Sequence, residues 1–373
     1  MKKNVLFMIH CEQNTGYAIE KLEGIFNAAA LKAGFLESQI HWSFSKVHEP
    51  SQQIYELDFH NGSVAKQLAE LLAVTKFDTI LAFDLPFPSS IVSVAKQFKV
   101  GRVISYWGAS MSDINKWPLL GLKKLEYLIK QRRSADLYLF ESKAMRRTAT
   151  HGRGLPIGKT HVIPLGVDLC QYFPEEKKVY THLQLKIPQG RKVIFYSGHM
   201  EARKGVGTII KAALKLAQDG RIAELHFVLC GNKNNEEDVY LANLRGSDAA
   251  EHVTFAGYRN DIPELMRSSH IGVIASVGWD SFTRSSIEML ASGLPLVASN
   301  LGGLAETTVH EETGYLFTPG DYVELADRIH DLVNDPIKYR HFSENARARA
   351  VSLFDESDQV GRISQTLKDN QYA

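Results

Sequence analysis

Two acidic residues flank a short polar loop in the C-terminal half of the sequence, and their spacing makes them candidates for chemistry. Asp280 lies on the loop, and Glu288 lies eight residues later, one to two turns into a helix predicted to start near Thr283. The first amides of a helix have no internal partner and carry the positive end of its dipole, so this loop suits a phosphate. Because carboxylates repel phosphate, the natural partners of both acids are neutral hydroxyls, such as those of a sugar or a ribose.

Both acids also have purely structural interpretations. The spacing of Ser285 and Glu288 matches a capping box, in which the Glu288 carboxylate would only accept a hydrogen bond from a backbone amide. Asp280 could be a solvated loop carboxylate or a helix cap. Spacing alone favours these structural interpretations.

A second candidate element is a basic loop between a predicted strand and a predicted helix. It contains His199, Arg203 and Lys204. Cations at this point could neutralise a leaving diphosphate and so stabilise charge that develops in a transition state. The alternative is an exposed basic loop without a ligand, which the loop taken alone favours.

The elements that would position these residues follow from an alternation of short apolar runs with longer amphipathic ones. The runs 5–9, 79–83 and 271–275 are apolar at nearly consecutive positions, as expected for parallel strands covered on both faces. Apolar residues in 206–217 and 325–333 recur every three or four positions, which is typical of helices. The pattern therefore predicts an α/β fold with parallel sheets.

The 373 residues are enough for two domains. A polar stretch that contains two prolines and a run of charged residues interrupts the pattern near the middle of the chain. We predict an N-terminal domain over 1–170, a linker over 171–191, a C-terminal domain over 192–355 and a terminal helix over 356–373 that could pack back on the N-terminal domain. Two such domains facing across a cleft would hold a ligand at the carboxyl ends of their strands.

The composition argues against several classes of protein. Hydrophobic residues make up 44% and charged residues 23% of the chain, which is ordinary for a soluble globular protein. The 43 Lys and Arg nearly balance the 42 Asp and Glu, so no nucleic-acid partner is expected. No acidic pair or His cluster has the spacing of metal ligands, so we expect no metal cofactor.

Cysteine usage and the apolar runs predict a cytoplasmic protein. Cys11, Cys170 and Cys230 are odd in number and far apart, which favours a reducing compartment. The apolar run 5–9 is too short for the core of a signal peptide. No run of about 18 apolar residues occurs, so no transmembrane helix is expected.

A basic segment in the N-terminal half could contact a membrane. Residues 116–159 hold eleven Lys or Arg against three Asp or Glu, and leucines alternate with the cations over 116–133. A basic amphipathic helix of this kind can lie on anionic lipid at the inner face of a membrane, which would suit a lipid-linked acceptor. The alternative is a helix packed in its domain with a solvated basic edge, because its apolar side must also serve the core.

The segment around the two acids resembles the donor-site signature of retaining GT-B-fold glycosyltransferases of the group 1 type, carbohydrate-active glycosyltransferase family 4. That signature is Glu, seven residues, Glu, then Ala-Met-Ala-x-Gly-x-Pro-Val-Val and Gly-Gly-x-x-Glu. Here Asp280 holds the first position and Glu288 the second, followed by Met-Leu-Ala-Ser-Gly-Leu-Pro-Leu-Val over 289–297 and Gly-Gly-Leu-Ala-Glu over 302–306. The resemblance implies a GT-B fold of two Rossmann-like doubly wound domains facing across a cleft.

The resemblance also implies roles for individual residues. The first acid, Asp280, would contact the donor sugar as part of the catalytic machinery, and the second, Glu288, would bind the ribose. Lys204 matches a family lysine on the donor phosphates, whereas His199 stands where an arginine is usual, so the second cation would be Arg203 or a protonated His199. The remaining donor-site candidates are Ser281, Phe282 and Thr283 for the diphosphate, Gly198 in the basic loop, Tyr258 near the base, and Gly16 against the phosphates.

An acceptor-side element is expected in the N-terminal domain. Many relatives carry a His or a Trp-Gly-Ser-Asp sequence facing the cleft, and here Trp107 to Asp113 occupy that region without the His. Trp107 could stack on a sugar, since an aromatic face offers a large contact area. The alternative is a tryptophan that only fills the core.

Together these features predict transfer of a sugar, with retention, from a UDP- or GDP-linked donor to an acceptor hydroxyl in polysaccharide, glycolipid or glycoconjugate synthesis. One alternative is a catalytically weak nucleotide-sugar binding protein, given the replacements at Asp280 and His199. Another is a different GT-B enzyme, namely an epimerase or a phosphorylase.

Overall fold

The computed structural model describes residues 4–59, 62–175 and 179–368. It divides the chain into two compact units, one formed by Met1–Leu165 with Glu356–Ala373 and the other by Gly166–Asp355. Each unit is built on a parallel sheet with helices, so the predicted α/β class is confirmed. Within the described ranges, no helix has both the length and the apolar character needed to cross a membrane.

The first unit contains a seven-stranded parallel sheet with the strand order β3-β2-β1-β4-β5-β6-β7. Its strands are β1 (Val5–Met8), β2 (Ile40–Phe44), β3 (Ile54–Glu56), β4 (Thr79–Phe83), β5 (Arg102–Trp107), β6 (Leu137–Phe140) and β7 (Thr160–Val162). The helices between them are α1 (Tyr17–Ala33), α2 (Val64–Val74), α3 (Ser90–Gln97), α4 (Leu119–Lys130) and α5 (Lys143–Arg147).

Strand β1 shows why the central strands are apolar at every position. Val5, Phe7 and Ile9 belong to the core on one face of the sheet. Leu6 and Met8 belong to the core on the other face. Because side chains alternate across a strand and helices cover both faces, every position is buried and must be apolar.

The second unit contains a six-stranded parallel sheet with the order β10-β9-β8-β11-β12-β13. Its strands are β8 (Lys192–Ser197), β9 (Leu225–Cys230), β10 (Val253–Gly257), β11 (Ile271–Ile274), β12 (Leu296–Ser299) and β13 (Gly314–Phe317). Its helices are α6 (Tyr180–Leu185), α7 (Val206–Gln218), α8 (Asp238–Leu244), α9 (Ile262–Arg267), α10 (Arg284–Ala291), α11 (Tyr322–Asn334) and α12 (Pro336–Leu353).

The described residues of the predicted linker, 171–175 and 179–191, do not form a free linker, in contrast to the sequence-based expectation. They lie in the second unit, and their helix α6 contacts α9. Thr181 is buried and its hydroxyl donates to the Leu265 carbonyl at 3.1 Å, while His182 Nε2 lies 2.8 Å from the Arg191 carbonyl oxygen. The inward-facing residues are polar but hydrogen-bonded, so the hydropathy pattern resembled that of an exposed segment.

The last helix, α13 (Glu356–Lys368), belongs to the first unit and packs on α1. Ile363 and Leu367 are buried in the same core as the inner face of α1. Gln359 Nε2 donates to the Tyr106 hydroxyl at 3.2 Å, which ties α13 to the end of β5. Chain segments from both ends of the sequence therefore complete the first unit.

Candidate functional site

The site residues of the second unit lie where its strand order reverses. The two neighbours of β8 are β9 and β11, so the sheet has a switch point between β8 and β11. Parallel sheets bind ligands at the carboxyl ends of their strands near such a point. The basic loop follows β8, and the loop with Asp280 follows β11.

A glycine brings the two loops together. Gly205, which precedes α7, has φ of 72°, and an added Cβ would lie 1.7 Å from the Ala275 carbonyl oxygen at the end of β11. The Arg203 carbonyl accepts hydrogen bonds from the amides of Val277 at 2.8 Å and Gly278 at 3.2 Å. This close backbone approach fixes the position of the basic loop relative to the acidic one.

The two loops join through a buried ion pair. Lys204 Nζ lies 3.0 Å from each carboxylate oxygen of Asp280, and the exposed fractions of the two side chains are 15% and 3%. Ser276 Oγ donates to Asp280 Oδ2 at 2.6 Å. Burial of a carboxylate is costly unless it is paired and hydrogen-bonded, and both conditions are met here. The structure thus brings together two predicted site residues and adds Ser276, which the sequence did not single out.

The Arg203 side chain makes different contacts from those of Lys204. Its Nε lies 2.7 Å from the Glu201 carboxylate, and its guanidinium carbon lies 4.7 Å from the ring centroid of Trp279. Nη1 also donates to the Trp279 carbonyl at 3.4 Å. Arg203 is therefore held at the outer side of the Asp280 loop, next to a half-exposed indole.

Gly198 and His199 follow β8 at the start of the basic loop. The Tyr196 hydroxyl donates to the His199 carbonyl at 2.7 Å, and burial raises the pKa of this hydroxyl well above its usual range, which keeps it protonated. A Cβ on Gly198 would lie 2.8 Å from the same hydroxyl. The Tyr196 side chain thus holds the backbone of the turn, and the His199 side chain is exposed.

The turn into α10 has an unusual backbone. Thr283 is the N-cap with φ of 43°, which is rare for a β-branched residue, and strain of this kind is concentrated at functional sites. Within the described residues its buried Oγ1 has no hydrogen-bond partner. Phe282 is buried and packs edge-to-face on Phe354 at 5.2 Å, so its side chain anchors the turn, and Ser281 is half-buried beside it.

Glu288 is buried on α10, at 4% exposure. The capping-box alternative for Ser285 and Glu288 is wrong, because α10 begins at Arg284 with Thr283 as its N-cap. Ser285 is then inside the helix, and Glu288 lies beyond the position from which a capping box is closed.

Tyr258 lies on the turn after β10 with an exposed ring, and Lys233 Nζ lies 4.3 Å from the centroid of that ring. Asn232 Oδ1 accepts a hydrogen bond from the Gly257 amide at 2.8 Å. The Gly231 amide donates to the Gly257 carbonyl at 2.9 Å, so the turns after β9 and β10 are tied together. Tyr258 therefore sits at the same edge of the sheet as the two loops.

The first unit holds the other three predicted residues. Gly16 is the N-cap of α1 and has φ of 133°. Trp107 is 7% exposed in the core, as its structural alternative proposed, and within the described part of the chain its buried Nε1 has no hydrogen-bond partner. Asp113 is exposed, and its carbonyl accepts a hydrogen bond from Ser112 Oγ at 3.3 Å.

Sequence reasoning missed Asp84, which follows β4 at the switch point of the first sheet. Burial raises the pKa of Asp84 to about 6, against the opposing effects of hydrogen bonds from the Gly108 and Ala109 amides and of nearby His10. The Gly108 amide donates to Asp84 Oδ1 at 2.9 Å. His10 stacks on Phe83, with ring centroids 5.3 Å apart. An acid directly after a buried strand was the signal that could have revealed it.

Comparison with known proteins agrees with this architecture. Residues 181–349 match the model of the family described as "Glycosyl transferases group 1". Over 195 residues the chain is 30% identical to an MMP alpha-(1->4)-mannosyltransferase of Mycolicibacterium hassiacum, which covers 52% of this chain and 44% of that protein. Over 317 residues it is 25% identical to an N-acetyl-alpha-D-glucosaminyl L-malate synthase of Bacillus anthracis, and this match covers 83% of this chain and 80% of that protein. The chain spans about half the length of the first curated relatives it matches.

Solved structures show a similar fold over nearly the whole chain. HepE of Anabaena in complex with UDP has a TM-score of 0.77 at 21% identity, covering 98% of this chain and 99% of that one. A glycosyltransferase of Rickettsia africae has a TM-score of 0.81 at 16% identity, covering 99% of each chain. The second unit therefore contains the stretch that matches the group 1 glycosyl transferases, in a chain with the GT-B fold that the sequence predicted.

Proposed function

We propose that this protein transfers a sugar from a nucleotide-diphosphate-sugar donor to an acceptor hydroxyl, with retention of configuration at the anomeric carbon. The observation that carries the proposal is the buried Lys204–Asp280 pair at the switch point of the second sheet, beside the N-terminus of α10. The group 1 family match supports sugar transfer. Structures of the similar HepE in complex with UDP and with UDP-glucose support a nucleotide sugar as donor.

The donor diphosphate would bind between Lys204 and the first amides of α10. Both supply positive charge, which stabilises a diphosphate most as it leaves. Asp280 would then turn to a hydroxyl of the donor sugar, and Glu288 would hold the ribose. Arg203 or His199 would supply a second cation.

In the reaction, the bond between the anomeric carbon and the diphosphate oxygen breaks, and its electron pair goes to the phosphate. Lys204 stabilises the charge that develops there. The acceptor oxygen bonds to the anomeric carbon, and its proton goes to the departing phosphate. No covalent enzyme intermediate is proposed. No metal ion is proposed either, since Lys204 and the helix amides provide the positive charge.

We further propose a UDP- or GDP-linked donor and an acceptor in polysaccharide, glycolipid or glycoconjugate synthesis, in the cytoplasm. Peripheral contact with the inner face of a membrane through residues 116–133 would bring the protein to a lipid-linked acceptor. The exposure of most leucines of this helix supports that contact, since these side chains are not buried in the core.

The test is a panel of UDP- and GDP-sugars, scored by thermal stabilisation and by release of free nucleotide. A ligand at 100 times its Kd stabilises the native state by about 2.7 kcal/mol, so the true donor should stand out. Glu288→Ala should weaken nucleotide binding, and Lys204→Ala should lower turnover at least about 100-fold. Lys215→Ala, which removes a surface ion pair with Asp219, is the matched control.

The competing functions give different results in the same experiment. A binding protein would be stabilised by a nucleotide sugar without releasing nucleotide, even when acceptors are supplied. A phosphorylase would require inorganic phosphate, and an epimerase would change the sugar without an acceptor. Full activity in both Glu288→Ala and Lys204→Ala would show that the site is misassigned.

A further inference from the structure

Helix α4 of the first unit exposes an apolar face that no described residue of its own unit covers. Tyr127 is the only buried residue of the helix. Trp117, just before it, is 80% exposed. Isolated exposed apolar side chains are normal, but a contiguous group of this size marks an interaction surface. Five large apolar side chains of the helix are each more than half exposed, namely Leu119, Leu122, Leu125, Leu128 and Ile129.

The same segment carries a local excess of positive charge. Residues 116–133 contain six Lys or Arg and one acid, Glu126, whereas the whole chain is almost neutral. Glu126 is held by Lys123 and Lys130, each at 2.9 Å. The helix therefore presents apolar side chains together with cations, which is the chemistry of a segment that lies in the surface of an anionic bilayer.

Behind this face lies an apolar cavity of about 520 Å³. Gly154, with φ of 72°, shapes it, because an added Cβ would lie 2.6 Å from the Lys123 carbonyl carbon, so only glycine lets the loop approach the α4 backbone this closely. The lining is mostly carbon, with Leu120, Tyr127 and Leu128 from the helix and Leu155, Pro156 and Ile157 from the facing loop.

We propose that α4 lies in the surface of an anionic membrane and that this cavity takes one acyl chain of an anionic lipid. At 1.5 Å per residue, the 12-residue helix is about 18 Å long, which suits a helix lying in the plane of the interface. Its leucines enter the acyl region and its lysines stay at headgroup level, since long cationic side chains extend toward water. The acyl site rests on the membrane contact proposed above for residues 116–133, but lipid binding is measured without donor or acceptor, so its failure is distinguishable from a failure of sugar transfer.

A second copy of this chain is a poorer occupant of the face. A twofold contact places the same patch on both sides, so the cations of one copy would meet those of the other. Like charges in an interface are unfavourable, whereas anionic headgroups neutralise them. The positive charge of this face therefore favours an anionic lipid surface over self-association.

The first test is co-sedimentation of the full chain with phosphatidylcholine vesicles that contain or lack phosphatidylglycerol. Binding is expected to the anionic vesicles, to weaken with salt, and to fall at least about tenfold in Leu122→Ser/Leu125→Ser/Ile129→Ser. These side chains are exposed, so the variant should keep its melting temperature. The matched control replaces three exposed apolar residues of the second unit, in Leu183→Ser/Val239→Ser/Ile337→Ser, and should bind like the parent.

The second test locates the acyl chain with a phosphatidylglycerol that carries a photoreactive diazirine in mid-chain. Adducts mapped by mass spectrometry are expected on Leu120 and on Leu155–Ile157, in addition to the outer face of α4. Adducts only on the outer face would overturn the acyl site. Absent or charge-independent vesicle binding, unchanged binding by the α4 variant, or a dimer broken by that variant would overturn the membrane surface itself.

Discussion

Replacing Lys204 by Met should destabilise the second unit far more than the same change at Arg203. Both residues are cations of the basic loop, and each forms an ion pair with a carboxylate. The Lys204–Asp280 pair is nearly buried, whereas the side chains of the Arg203–Glu201 pair are 30% and 52% exposed. The two cations therefore lie in the same loop, and their ion pairs differ mainly in burial.

The magnitude follows from what each substitution leaves behind. Lys204→Met leaves the Asp280 carboxylate buried, with Ser276 Oγ as its remaining hydrogen-bond partner among the described residues, and breaking a buried pair in this way costs about 3–5 kcal/mol. Arg203→Met loses an exposed pair and a cation–π contact, together worth about 1 kcal/mol. Adding Asp280→Asn to Lys204→Met removes the unpaired charge, so the double variant should recover about 2 kcal/mol.

The free energy of unfolding is measured by urea titration, with hydrogen exchange followed in peptides of β11 and α10. Exchange is needed because two units need not unfold together, and a single global transition would then be misread. The reasoning would be refuted if the two single variants, Lys204→Met and Arg203→Met, lowered the free energy of unfolding by amounts within about 1 kcal/mol of each other. It would also be refuted if the double variant recovered none of the free energy of unfolding that Lys204→Met loses.

Three further predictions concern backbone and charge. Gly205→Ala should cost more than about 2 kcal/mol by melting temperature, because its Cβ meets the Ala275 oxygen, whereas Gly220→Ala, at a similar φ in open space, should cost only about 1 kcal/mol. Burial and Glu20 raise the pKa of Glu23 to about 7 from its ordinary 4.5, so stability should fall as pH rises between these values, and Glu23→Gln should abolish that slope. Burial, and to a lesser extent Arg191, lowers the pKa of His226 to about 4 from 6.5. The protein should therefore lose stability as pH falls from 6.5 to about 4, and His226→Gln should remove this loss. An unchanged dependence of stability on pH in either variant would contradict the prediction for that residue.

The central strands could be predicted because helices cover both faces of each sheet. Strands β1, β4, β8 and β11 are read directly from continuous apolar runs. Strand β2 was missed because it contains His41 and Ser43, and the polar ring of His41 is accommodated by the Tyr55 hydroxyl at 3.0 Å. Strand β13 was missed because it begins at Gly314, where an added Cβ would lie 1.9 Å from the Leu296 oxygen.

For the site, the sequence predicted which residues gather but not how they are held. Asp280 and Lys204 follow neighbouring strands at a switch point, so topology alone brings them close. The hydrogen bond from Ser276 and the left-handed backbone of Thr283 depend on the exact path of the loop, which residue types do not reveal. Similarly, the pattern of α4 predicted an apolar face but not whether its own unit would cover it.

The most direct test of the central claim is a crystal structure of the protein with the nucleotide sugar that stabilises it most. The diphosphate is expected within hydrogen-bonding distance of Lys204 Nζ and of the first amides of α10, with the Asp280 carboxylate on a sugar hydroxyl and that of Glu288 on the ribose. A diphosphate bound away from the loops after β8 and β11, with the Lys204–Asp280 pair untouched and far from the ligand, would contradict it.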